Sequence, residues 1–389
     1  MGNNAIAALE DRYAIPSYAK WPVAFVRGSG CTLWDADGRE YLDLYGGHCT
    51  SVIGHAHPRW VTAIAGQAAR LGFYSNVASS DVRARFLERL MSFVPGHLER
   101  AFLCNSGAEA NETAVKLAIQ ATGRSRVIAM EGGFHGRTAG ALSLTHLGSY
   151  RARFPAVVRD VPAAPFGDLA ILERLLDPDT AAVILEPIQS MAGVRVAADD
   201  YYPALVATCH ANGTLVIFDE VQTGMGRLGA SLAAALWHAP ADLVTLAKGL
   251  GNGFPMAAVL ASGAVAGAVE VGDHGTTFGG GPLAAAAGLA VLETLESERL
   301  VPHAAAMERV ARDRLVVGPV RAVRGRGLLL GLEVVTSAGK LSRRLFERGI
   351  LVGTSSDPNV LRLMPPLVAT ESELDRLAAA LAELPPGGP

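Results

Sequence analysis

Lysine is nearly absent from this 389-residue chain: Lys20, Lys116, Lys248 and Lys340 are its only ones, and arginine supplies the remaining basic charge. Cysteine is scarce as well. Cys31, Cys49, Cys104 and Cys209 lie far apart with no C-x-x-C pair, so neither a zinc site nor a disulfide framework is signalled, and a reducing cytoplasm fits best. Charged residues make up 18% of the chain and the net charge is -3, which leaves no field to draw nucleic acid or anionic lipid. The longest apolar run, Met256 to Val269, is rich in Ala and Gly and falls short of the roughly 18 residues of a membrane span. Met1 to Ile6 has neither the basic nor the apolar region of a signal peptide, and Ile6 stands where a myristoylation signal wants Ser or Thr. A soluble protein is expected, with no nucleic acid, membrane or metal ion among its partners.

What the chain has is apolar bulk, 50% of its residues, enough for a large core or a subunit interface. Short apolar stretches at Ala101–Cys104, Arg126–Ala129, Ala181–Leu185, Thr214–Phe218 and Leu243–Leu246 alternate with helical stretches such as Glu109–Ala121 and Tyr201–Ala211. Strands apolar on both faces and separated by helices predict an α/β domain with a mainly parallel sheet. The two ends read differently. Hairpin-like pieces (Val23–Val26, Thr32–Trp34, Tyr41–Leu44) open the chain, and an α+β segment follows a long helix over Pro282–Glu296. Helices over Ala304–Leu315 and Leu341–Arg348 and strands over Leu328–Val335 and Val360–Leu363 complete that segment. The expected division is 1–55 and 286–389 for a smaller domain built from both ends, and 56–285 for the large domain. The tail Pro385–Pro389 is expected to be disordered.

Lys248 follows the apolar stretch Ala241–Ala247 and precedes a run of glycines. An ammonium among apolar neighbours is desolvated and its pKa falls, which favours the neutral amine that attacks carbonyls. A surface lysine on a flexible loop explains the same segment. Ser106-Gly107-Ala108-Glu109 opens a helix after a strand, so its free N–H groups can take an anion, or it is simply a capping box. Asp219 ends a wholly apolar strand and needs a cation or several donors; a protonated pyridine nitrogen is one such cation. A metal-binding acid is the competing reading, but no G-x-x-x-x-G-K-[ST] accompanies it. Phe134 and Arg137 lie in a Gly-flanked loop suited to stacking on a planar ring and holding a carboxylate. Gly275-Thr276-Thr277-Phe278-Gly279-Gly280 suits a phosphate or a tight turn. His55 and His57 lack partners at metal-ligand spacing, and there is neither a dinucleotide fingerprint nor a G-x-S-x-G elbow.

In order, Ser-Gly-Ala-Glu-Ala-Asn-Glu at 106–112, Phe-His-Gly-Arg-Thr at 134–138, Glu-Pro-Ile-Gln at 186–189, Asp-Glu-Val-Gln-Thr-Gly at 219–224, Ala-Lys-Gly at 247–249 and Gly-Thr-Thr-Phe-Gly-Gly at 275–280 resemble a class III pyridoxal-phosphate (PLP) aminotransferase of fold type I. Within that class the chain is most similar to acetylornithine aminotransferases. The resemblance implies that Lys248 carries PLP as a Schiff base and shuttles a proton, while Asp219 holds the pyridine N–H. Gln222 would reach the ring hydroxyl, with Phe134 and Val221 sandwiching the ring. The phosphate would be bound at Ser106, Gly107 and Ala108 with Thr277 of the partner subunit, so the active sites would be shared in a homodimer. Arg137, with Thr276 nearby, would take the donor's α-carboxylate, and Arg362 that of 2-oxoglutarate or glutamate.

The activity implied is ping-pong transfer of the terminal amine of N-acetyl- or N-succinylornithine to 2-oxoglutarate, in arginine biosynthesis. Ornithine, 4-aminobutyrate, carrier-bound lysine or a specialised-pathway amine are alternative donors. A non-catalytic PLP-fold binding protein and a nicotinamide dehydrogenase are the other classes considered. Two positions depart from the pattern. Relatives using ornithine-like donors commonly carry a Glu where Met191 stands, and that Glu pairs with the arginine at the position of Arg362. Gly281 replaces the usual Asn before Pro282.

Overall fold

The computed structural model of the chain describes residues 1–384. The tail Pro385–Pro389 lies outside the described residues. Seven strands form the main sheet, ordered Leu98–Cys104, Ala257–Ser262, Leu243–Leu246, Leu215–Asp219, Thr180–Leu185, Arg126–Met130, Ala163–Ala164. All run parallel except Ala257–Ser262, which pairs antiparallel with both of its neighbours. That strand lies inside the run Met256 to Val269, whose Ala/Gly content carries no strand signal of its own.

Side-chain alternation divides each central strand between two cores. Val216 and Phe218 pack with Tyr202 and Leu205 of the helix Tyr201–Ala211, whereas Ile217 packs with Ala110, Ala114 and Leu117 of the helix Gly107–Thr122. Burial on both faces is the reason these strands read as continuous apolar runs. The helix Gly107–Thr122 starts where the Ser106 side chain accepts the Glu109 N–H, and it stops at Gly123, whose φ of 67° suits glycine.

The chain ends build the smaller α+β part. Strands Phe25–Ser29, Thr32–Asp35 and Glu40–Asp43 form one sheet with Ile350–Leu351, which pairs parallel with Glu40–Asp43. A second sheet joins Val320–Arg326, Leu329–Val334, Val360–Leu363 and Gly353–Thr354, all antiparallel. Val320–Arg326 escapes a sequence reading because Arg321, Arg324 and Arg326 interrupt it, leaving it without a continuous apolar run. The helix Pro282–Ser297 links the two parts and spans the division expected at 285. No helix among the described residues is long and apolar enough to cross a membrane.

Candidate active site

Five strands of the main sheet end at one opening. Asn105 follows Leu98–Cys104, Phe134 follows Arg126–Met130, Glu186 follows Thr180–Leu185, Asp219 ends Leu215–Asp219, and Lys248 follows Leu243–Leu246. All five line a single cavity of about 280 Å³. The carboxyl ends of parallel strands are where open α/β sheets bind ligands. Ser106, Gly107, Ala108, Val221 and Gln222 line the same cavity.

Asp219 is buried and met by three donors. Its Oδ2 accepts from Asn111 Nδ2 at 2.7 Å and pairs with His135 Nδ1 at 2.8 Å, and its Oδ1 accepts from the Val221 N–H at 3.1 Å. Asn111 is itself fixed, accepting from Thr245 Oγ1 at 2.7 Å and donating to the His135 carbonyl at 2.8 Å. Asn111 and His135 sit inside the quoted motifs, yet a sequence reading gives them no role. Their signal is only that the apolar strand under Asp219 requires donors from elsewhere.

Lys248 adopts a left-handed backbone, φ 45°. Burial lowers its pKa below the ordinary lysine value, against the pull of Asp219, Cys49 and Glu186. Glu186 Oε1 accepts the Phe134 N–H at 2.8 Å, fixing the loop that carries that ring. Burial first, and then the charge of Asp219, raise the Glu186 pKa from 4.5 to about 7. A raised carboxyl contributes stability that is fully present below pH 4.5 and is lost as pH rises through about 7. Glu186→Gln keeps the acceptor and removes the titration. Its melting temperature relative to the native protein should therefore climb as pH rises from 4.5 past 7, and parallel melting curves across that window would contradict this.

The helix start at Gly107 combines both sequence readings. Ser106 Oγ accepts the Glu109 N–H at 3.2 Å, while Glu109 reaches back to the Asn105 N–H at 2.9 Å. The N–H groups of Gly107 and Ala108 have no acceptor within the helix, and both residues line the cavity. A Cβ on Gly107 would stand 3.0 Å from Val221 Cγ2, so any larger residue would press on the Val221 side of the cavity.

The remaining predicted residues lie outside this cavity lining. Thr276 Oγ1 accepts from Asn105 Nδ2 at 3.1 Å, and Thr277 is exposed. Arg137 is exposed, its guanidinium 3.9 Å from the centre of the Tyr150 ring, and Tyr150 meets the Phe134 ring at 5.9 Å. Tyr150 thus touches both Arg137 and Phe134, a contact that no local pattern announces. Arg362 is 1% exposed; its Nε donates to the Thr354 carbonyl at 2.7 Å and its Nη1 to Ser190 Oγ at 3.0 Å. Met191, half-buried, follows that serine. Among the described residues no carboxylate forms an ion pair with Arg362.

A flat, phosphorylated pyridine fits these groups. Asp219 offers a carboxylate at the cavity floor, the Gly107 turn offers N–H groups to an anion, and Gln222 Oε1 is buried with no hydrogen-bond partner of its own. The class-III aminotransferase family model matches residues 13–384. An acetylornithine aminotransferase from Methanopyrus kandleri is 43% identical over 379 residues, covering 96% of this chain and 97% of that protein. One from Streptomyces clavuligerus is 42% identical over 390 residues, covering 99% and 96%. The crystal structure of the ornithine aminotransferase from Toxoplasma gondii superposes with a TM-score of 0.92 at 32% identity, covering 98% of this chain and 94% of that one. At such identity and coverage, the chain belongs to the class-III aminotransferases, pyridoxal-phosphate enzymes of fold type I.

Proposed function

We propose that the protein moves the terminal amine of N-acetyl- or N-succinylornithine to 2-oxoglutarate, as a cytoplasmic homodimer whose sites are shared. The observation that carries the donor choice is the environment of Arg362. Its guanidinium is buried against Ser190 and Thr354 with no carboxylate paired to it, and Met191 stands beside that serine. Free ornithine would bring an α-ammonium to a site holding an uncompensated cation. Acylation removes that charge. The acetylornithine aminotransferases among the relatives support the same donor class.

Bound PLP supplies an aldehyde carbon that takes up the amine and a ring that stores the electron pair when a substrate C–H bond breaks. In this reading Asp219 holds the proton on the ring nitrogen, and Lys248 Nζ, its pKa lowered by burial, moves the proton between substrate and cofactor carbons. Phe134 and Val221 press on the two ring faces, and Gln222 reaches the ring hydroxyl. Gly107 and Ala108 hold the phosphate, with Ser106 and Thr277 of the partner subunit. Arg137 takes the donor's α-carboxylate with Thr276 nearby, and Arg362 takes that of 2-oxoglutarate. Exposed Phe73, Tyr74, Val77 and Phe278, with the Phe73 and Phe278 rings 5.3 Å apart, give an apolar patch beside the 276–277 loop that supports a subunit interface there.

The test is a donor panel read by single-turnover loss of the bound-cofactor absorbance. N-acetylornithine should react with a kcat/KM at least about tenfold above ornithine and 4-aminobutyrate, and Met191→Glu should narrow the gap to ornithine. Equal reaction of ornithine and N-acetylornithine with the native enzyme would defeat this assignment.

A further inference from the structure

Four consecutive residues before the cavity, Gly46 to Cys49, hold a left-handed backbone, with φ of 59°, 57°, 65° and 69°. Glycine accepts this freely, but His48 and Cys49 do not. The surrounding structure imposes it. Asp43 Oδ1 accepts the N–H groups of Tyr45 at 2.9 Å and Gly46 at 2.8 Å, and the Thr50 N–H closes onto the Gly46 carbonyl at 2.7 Å. Strain maintained in this way is typical of functional sites.

The turn presents one side chain. His48 is within hydrogen-bond distance of Tyr45, whose hydroxyl lies 2.5 Å from Nδ1 and 2.8 Å from Nε2. The Tyr45 ring lies 5.9 Å from the Arg362 guanidinium carbon, Cys49 Sγ donates to the Gln222 carbonyl at 3.6 Å, and Thr50 lines the cofactor cavity. The imidazole therefore stands at the rim of the site, still touching solvent. Crowding by the wall, and then the charges of Arg362 and Lys248, lower its pKa to about 4, so it is neutral at pH 7. A neutral imidazole offers one donor and one acceptor. The Tyr45 hydroxyl is in reach of both nitrogens but bonds one at a time, so a ligand that takes one nitrogen leaves it the other.

We propose that His48, oriented by Tyr45, is a specificity-determining residue that hydrogen-bonds the acyl amide of the donor. The two arginines assigned to the substrates both suit carboxylates. The remaining polar group of an N-acylated donor is a neutral amide, and a neutral donor–acceptor ring matches it without adding charge beside Arg362. A free ammonium in the same place would need an acidic partner, and among the described residues no carboxylate bonds the side chain of His48, Tyr45 or Arg362. The inference rests on the acylornithine reading and names the residue that reads the acyl group.

His48→Gly is the informative variant, because the left-handed backbone favours glycine and folding is not put at risk. The holoenzyme is assayed by single turnover with N-acetylornithine and with 5-aminopentanoate, which has the same amine and carboxylate spacing but no acyl amide. The variant should lose about tenfold in kcat/KM on N-acetylornithine, the worth of one hydrogen bond, and stay within about twofold on 5-aminopentanoate. Calorimetry with the unreactive analogue N-acetylnorvaline should show the same weakening in Kd. Tyr45→Phe should reproduce part of it. An equal loss on both amines, or no loss on either, overturns the role of His48 while leaving the proposed function intact. A native enzyme that does not prefer N-acetylornithine over 5-aminopentanoate overturns both.

Discussion

Lys248→Arg is expected to lower kcat at least about 10³-fold, the scale of a lost nucleophile and general base, with little change in melting temperature. The reasoning starts from the charge. Burial lowers the Lys248 pKa, so the amine has access to its neutral form, whereas a guanidinium stays protonated throughout the working range. The position is also geometrically exacting. Lys248 holds φ 45° between the buried strand Leu243–Leu246 and Gly249, where a Cβ would stand 3.2 Å from Val52 Cβ. Lys248 lines the cavity that Asp219 also lines. Borohydride reduction followed by peptide mass analysis gives the independent check. A pyridoxyl mass should appear on Lys248 in the native protein and on no residue of the variant. Retention of kcat within tenfold, or a native adduct on Lys20, Lys116 or Lys340, would remove Lys248 from the chemistry.

The strands that carry the site were legible because they are buried on both faces: Thr180–Leu185 and Leu243–Leu246 are apolar at nearly every position, so length and composition identify them without any periodicity. The groups at their ends were legible because Asp219 and Lys248 are charges placed where charge is costly. Residues that act through another side chain left no such mark. Asn111 and Thr245 look like ordinary polar residues on a helix and a strand until folding brings them to Asp219, and Tyr150 is an isolated aromatic until Arg137 lies over it. The glycines of the turn Gly46–Cys49 are visible in the sequence, but not that the following His48 and Cys49 share the same left-handed conformation. That information is held by Asp43 and by the Met364 carbonyl, which stands 2.7 Å from where a Cβ on Gly46 would lie.

Asp219→Asn should cost on the order of 10³-fold in kcat and weaken PLP binding, although the substitution is isosteric. Every donor around this side chain has been arranged for a carboxylate: the Val221 N–H on Oδ1, and Asn111 Nδ2 with His135 Nδ1 on Oδ2. An amide has one acceptor oxygen. If that oxygen turns to Asn111 and His135, the new NH₂ faces the Val221 N–H and the ring nitrogen, donor against donor. If it turns the other way, the NH₂ meets Asn111 and His135 instead. Either orientation leaves buried donors unmatched, and neither provides the negative charge that keeps a proton on the pyridine nitrogen. The deficit should therefore appear in two independent readings, a lower kcat and a higher Kd for PLP measured by fluorescence titration of the apoenzyme. His135→Asn separates the two contributions, since it removes one donor but keeps the carboxylate: its Kd for PLP should rise, while its kcat stays well above that of Asp219→Asn. Equal kcat in the two variants would mean that the hydrogen-bond frame, rather than the charge of Asp219, governs the rate.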